Sequence, residues 1–302
     1  MNNKRRLFST LLCVAALTAG LFVSGCGSDK AGGIGSVVSS VVDGGSDEKA
    51  AAKLNTLIDA TNNFNGDNAT WGQNYADSLA KLKGGFQEGA IGRQPHYDTL
   101  KDALEKSKKE GSTFKEVDTE RDNVLNILNE LVPTFKDLKA YDDSKAYMND
   151  GGAKGKELAA KYVAQVEKFD AAYAKFNDVL NKANTEQTKK QIEKLKKDGK
   201  KGYAAAMEST LRLTNLVENV EKAPKNADKQ AVEKELNEIQ TLLKSINNDR
   251  GEVLVNSYNS VVGSVRQVLN DANENNLNDM IENFNNYIES YNNTTPDQFD
   301  SK

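Results

Sequence analysis

The residue types on which enzymatic and metal chemistry most often rests are scarce in this chain, and their spacing says what they can do. The single histidine, His96, stands in Arg93-Gln94-Pro95-His96-Tyr97-Asp98. Imidazole is the usual general base and zinc ligand, so a catalytic triad or a zinc site would have to be built on it. Its surroundings read instead as a loop running into a helix start, where histidine is an ordinary surface residue. The two cysteines, Cys13 and Cys26, leave nothing for a disulfide framework or a Cys/His metal site. Acids are plentiful, but they fall between apolar positions at helical spacing, where solvated faces lie. The nearest approach to a calcium loop, Asp142-Asp143 through Asp150-Gly151, puts Ser144 and Ala146 at alternate positions. Ala153 stands where the closing glutamate belongs. A phosphate-cradling glycine loop, a dinucleotide fingerprint and a nucleophile elbow are all missing from the sequence. The expectation is a protein that is not an enzyme, with no catalytic residue, no metal and no cofactor.

Two polar arrays remain. Lys190, Lys194, Lys197 and Lys201 repeat at four, three and four, which on one helix makes a basic face. Such a face suits contact with an anionic surface, either lipid headgroups or wall polymer, although a solvated stripe is the commoner meaning. Asn259, Gly263, Arg266 and Asn270 recur with the same steps and form a small-polar strip beside an apolar one. That strip either lines a pocket or lets another helix approach at glycine while Arg and Asn bond across.

The N-terminus specifies location. Lys4, Arg5 and Arg6 precede an apolar run from Leu7 to Val23, the pattern of an export signal over residues 1–25. Val23-Ser24-Gly25-Cys26 closes it and resembles the bacterial lipobox, whose cysteine is acylated and becomes the mature N-terminus. Two or three acyl chains, each buried CH₂ adding about 0.8 kcal/mol, would hold the protein durably on a membrane. Gly27 in place of aspartate then favours the outer membrane, facing the periplasm, in a cell with two membranes. Residues 26–46 are dominated by Gly and Ser and read as a tether reaching on the order of 25 Å. Net charge is −4, and setting aside the three positive charges of the signal leaves −7. Nucleic acid, which is bound by neutralising phosphates, is therefore an unsuitable partner. A membrane reached through the lipid is the expected partner, together with another envelope protein or wall polymer.

From residue 47 the apolar period is that of helices. Phe114, Val117, Arg121, Val124, Leu128, Leu131, Phe135 and Leu138 alternate steps of three and four, the seam of helices packing near-parallel. Leu158 to Leu180 repeats the pattern. A further line runs from Ile192 through Gly199 and Tyr203 to Val220, and others cover Val232 to Ile246 and Tyr258 to Ala272. The last resumes out of phase at Leu277. Leu54, Leu57, Ile58 and Thr61 make a short face, and Trp71, Tyr75, Leu79, Leu82 and Phe86 make another. Pro133 should kink its helix or separate two shorter ones. Gly199 and Gly202 suggest a bend or a close helix crossing. The expected fold is all-α: one elongated antiparallel helical bundle over residues 47–294, with a kinked or interrupted final helix and a disordered tail at 295–302.

The lipobox at Cys26, the opening Lys53-Leu54-Asn55-Thr56-Leu57-Ile58 and above all Leu254-Val255-Asn256-Ser257-Tyr258-Asn259-Ser260-Val261-Val262-Gly263 resemble the YiiG-like bacterial lipoproteins, a domain of unknown function. The resemblance touches both ends of the region from about 48 to 292. It implies an extracytoplasmic, all-helical, lipid-anchored protein, and it carries no functional residue across. The reading of a non-enzymatic scaffold or interaction module follows, with a helical solute- or metal-binding lipoprotein as the alternative.

Overall fold

Apolar residues three and four apart form helices here wherever they can be buried together, and the regular elements of the described residues are all helical. A computed structural model describes residues 46–92, 94–110 and 114–301. The signal segment, Cys26 and the tether up to residue 45 lie outside them. The elements are α1 (Ser46–Lys83), α2 (Tyr97–Lys109), α3 (Lys115–Asp143), α4 (Tyr147–Asp150) and α5 (Ala153–Lys197). They continue with α6 (Lys201–Lys222), α7 (Lys229–Lys244), α8 (Asp249–Asn270), α9 (Glu274–Asn292) and α10 (Pro296–Asp300). Among the described residues no helix is long and apolar enough to cross a membrane.

Instead of one bundle domain the chain divides into two compact units, and the division falls inside α5, between Ala183 and Asn184. In the first unit α3 and α5 run antiparallel. Contacts at Glu120, Phe135 and the Tyr141 ring on α3 meet Lys175, Tyr162 and Gly155 on α5, one set rising as the other falls. α1 also lies against α5, with Phe64 packed edge-on to Phe169 and Tyr173. The two short faces expected near the start belong to one helix, α1, although Phe86 lies in the loop beyond it. α3 runs unbroken through Pro133, so two shorter helices do not meet there. Arg121, which shares the apolar seam of α3, is buried. It bonds Asp118 at 2.7 Å and Asp122 at 3.1 Å.

In the second unit α7 and α8 are antiparallel neighbours, since Glu233 pairs with Arg266 while the later Gln240 meets the earlier Asn259. The Tyr258 hydroxyl donates to the Leu236 carbonyl between them. The interruption expected near the end falls at Asp271–Asn273 and is a full reversal, not a kink. Asn273 caps α9 by accepting from Asn276 N–H, and Ser257 on α8 meets Ser290 on α9 at 2.9 Å. An asparagine thus starts the helix that follows the interruption. The tail is a further correction. Residues 296–300 form α10, and Phe299 is only 2% exposed. Pro296 sits at the first helical position, where its missing N–H costs nothing.

Candidate functional site

His96 lies just before α2, half-buried, with its carbonyl accepting the Leu100 N–H at 3.1 Å. With Gln94, Pro95, Asp98, Phe135 and Lys139 it lines a shallow depression of about 310 Å³. No group of three or more His, Cys, Asp or Glu that could hold a metal occurs among the described residues. Asp150, at the end of the supposed calcium loop, accepts from Tyr141 Oη at 2.6 Å and from the Gly152 and Lys154 amides. It thus caps the start of α5.

Behind His96 lies a polar network that periodicity does not reveal. Tyr162 donates to Gln94 Oε1, whose amide reaches Ser78 Oγ at 3.3 Å. Ser78 donates to the Ala90 carbonyl at 2.7 Å and accepts the Gly92 N–H at 2.9 Å. Tyr75 and Tyr97 share a hydroxyl bond of 2.8 Å. Burial pushes all three tyrosines well above the ordinary phenol range, so they stay neutral: Tyr162 pins the loop at Gln94, and the Tyr75–Tyr97 pair joins α1 to α2. Asp170 is raised to about 6, first by burial; the Lys83 charge opposes the rise and Glu167 adds to it.

The lysine array does not form one face. Lys190, Lys194 and Lys197 end α5, and Lys201 opens α6 after a reversal at which Gly199 adopts φ +79°. Counting by fours and threes passes straight through that glycine, but a left-handed residue ends the helix. All four lysines are exposed. Their neighbour Lys196 is held by Glu193 at 3.2 Å and Glu208 at 2.9 Å.

The small-polar strip lies on the exposed side of α8. Arg266 grips Glu233 of α7 with two bonds of 2.8 Å, and Asn259 accepts from Gln240 at 3.5 Å, so bonding across helices is the reading that applies. Asn270 is exposed at the end of α8. Gly263 does not serve helix approach, since nothing stands within 4 Å of where its Cβ would be. On the other side of α7, Arg212 of α6 holds Glu235 in two bonds of 2.7 Å and also Glu238. The Arg212 guanidinium keeps Glu238 below the usual carboxylate range. Glu221, near the end of α6, goes the other way: burial raises it to about 7, with Glu218 adding and Lys222 opposing. Sequence marked Arg266 and Asn259 as able to bond across helices but not which residues they would meet, and it offered no signal for Arg212, because the partners lie on other helices.

The family described as Protein of unknown function (DUF3829) matches residues 48–286. The chain belongs to that family. No curated protein and no solved structure matches it. The DUF3829 match takes in the tyrosine network, the lysine turn and the three arginine clamps, and it ends within α9, before α10 begins. Of the stretches quoted for the resemblance, Leu54, Leu57 and Ile58 lie in the core of the first unit. Leu254, Tyr258 and Val261 lie in that of the second, so these stretches are packing surfaces.

Proposed function

We propose that this chain is a lipid-anchored extracytoplasmic protein of the YiiG-like kind, held at Cys26 and acting through surface contacts and not through catalysis. The observation that carries the reading is Val23-Ser24-Gly25-Cys26 at the close of a basic-then-apolar leader. Support for contact over chemistry comes from how the charged groups are spent. Arg121, Arg212 and Arg266 each clamp carboxylates, and Asp150 caps a helix. The partners are the membrane through the lipid and another envelope protein or wall polymer, with the outer membrane as the site in a two-membrane cell. Mass spectrometry of the mature N-terminus should find an acylated Cys26. Cys26→Ser should abolish cleavage and membrane retention, and a variant that fractionates and migrates like the parent defeats the proposal.

A second reading, a solute- or metal-binding lipoprotein, draws on buried carboxamide oxygens of α5. Gln165 Oε1, Asn177 Oδ1 and Asn181 Oδ1 meet no donor. A cation at a hundred times its Kd would stabilise the fold by about 2.7 kcal/mol, visible in a thermal melt. No shift is expected with millimolar Ca²⁺ or micromolar Zn²⁺. A shift that Asn181→Leu or His96→Ala removes would promote this reading over the first.

A further inference from the structure

We propose that the second unit carries a peptide-acceptor seat, built by Gly202, Tyr203, Asn248 and Tyr291, and that residues 296–301 are its ligand, held in cis and replaceable by the same peptide supplied in trans. The seat recognises an aromatic residue followed by aspartate. Phe299 is the anchor, its ring stacked at 5.8 Å on Tyr203 and 5.9 Å on Tyr291. Asp300 then supplies what α6 lacks. Lys200, before the first turn, makes no side-chain cap, and the Asp300 carboxylate accepts the Gly202 N–H at 2.6 Å and the Tyr203 N–H at 3.4 Å. A carboxylate on the leading amides of a helix is favoured both by hydrogen bonding and by the helix dipole.

Asn248 reads the peptide backbone. Its Oδ1 caps α8 at Arg250 and Gly251, which fixes the amide so that Nδ2 donates to the carbonyls of Gln298, Phe299 and Ser301 at 2.9–3.1 Å. The seat is shaped for close backbone approach: a Cβ on Gly202 would lie 2.0 Å from the Phe299 carbonyl oxygen. Lys200 adds an exposed contact to Asp297 at 3.5 Å. A five-residue helix does not form alone in water, so α10 is ordered by the seat as a bound peptide is. The short connection from Asn292 to Pro296 gives the resident tail a high effective concentration, which keeps the seat filled until that tail is weakened.

Hydrogen exchange on the full chain tests this. Phe299→Ala should accelerate exchange of residues 296–301 and of the Gly202 and Tyr203 amides by tenfold or more, as an order of magnitude, while Ala206–Val217 keeps its protection. Excess peptide Thr-Pro-Asp-Gln-Phe-Asp-Ser-Lys should restore protection at Gly202 and Tyr203. The same peptide carrying the Asp300→Asn change should not. The milder full-chain variant Asp300→Asn is measured alongside. If either variant loses protection in the α6 core together with the tail, the segment is integral to the fold and the proposal falls. Failure of the unmodified peptide to restore protection overturns it equally. Neither result bears on acylation of Cys26, which is tested separately.

Discussion

Two helical glycines should respond to alanine with opposite signs. Gly263 lies inside α8 on its exposed side with open space around the missing Cβ, so Gly263→Ala gains the ordinary helix preference of about 1 kcal/mol. Gly202 occupies the first turn of α6. There a Cβ would meet the Phe299 carbonyl oxygen at 2.0 Å, its carbon at 2.8 Å and Asp300 Oδ1 at 3.0 Å. The first two are backbone atoms, so no side-chain rotation relieves the contact; the tail must lift away. Lifting forfeits burial of Phe299, about 1.5–3 kcal/mol, and the freedom returned to the released residues offsets part of that. The net expectation for Gly202→Ala is a loss of about 1–2 kcal/mol in spite of alanine's better propensity. In a chain of this size each kcal/mol moves the melting midpoint by roughly 2–4 °C. Thermal melts followed by far-ultraviolet circular dichroism should therefore rise for Gly263→Ala and fall for Gly202→Ala. A neutral or raised midpoint for Gly202→Ala would refute the tight seat, because the close approach would then cost nothing.

Glu221 should make stability depend on pH. Its carboxyl is raised from 4.5 to about 7, so the protonated form is favoured in the fold; the contribution is complete below pH 4.5 and is lost as pH climbs through 7. After allowance for solvent screening this is about 2 kcal/mol, and urea melts of Glu221→Gln should be flatter than the parent between those limits; parallel curves would contradict the assignment. Tyr97→Phe removes one partner of the buried Tyr75 hydroxyl and should cost about 1 kcal/mol in the same melts, with no cost arguing that the hydroxyl pair contributes nothing. Reversing Lys190, Lys194, Lys197 and Lys201 to Glu should leave helicity nearly unchanged, because all four are exposed. The parent domain should not cosediment with anionic vesicles, and salt-sensitive cosedimentation lost on reversal would restore the lysine turn as a functional surface.

Periodicity made most of the helices legible because each buries one face, and the three-and-four spacing of Val117, Arg121, Val124, Leu128 and Leu131 records that face directly. The same signal misleads where two helices follow one another in matching phase. Ile192 and Tyr203 are both buried and their spacing counts through Gly199, so one continuous helix fits the pattern as well as two. Only the left-handed conformation at Gly199 separates the readings, and glycine tolerates a helix interior often enough to hide it. The tail failed for another reason. Pro296-Asp297-Gln298-Phe299-Asp300 is too short and too polar to show a helical face of its own, and its order comes from groups at Gly202 and Asn248, far back along the chain.

The polar residues divide along the same line. Asp228 is a legible cap, since an aspartate before an amphipathic run marks a helix start, and it does accept from Gln230 and Ala231. Asn248 begins α8 by the same local logic, yet its second task, binding the carbonyls of the tail, has no local trace. Tyr75, Tyr97 and Tyr162 each sit at an apolar helical position and read as core; that their hydroxyls meet one another and Gln94 depends on three helices and a loop converging. A sequence shows which face a helix buries, because that is a property of neighbours three and four residues away. It does not show which buried hydroxyl, amide or carboxylate finds which partner. Because these groups find their partners on other helices, the candidate sites become visible only in the assembled fold.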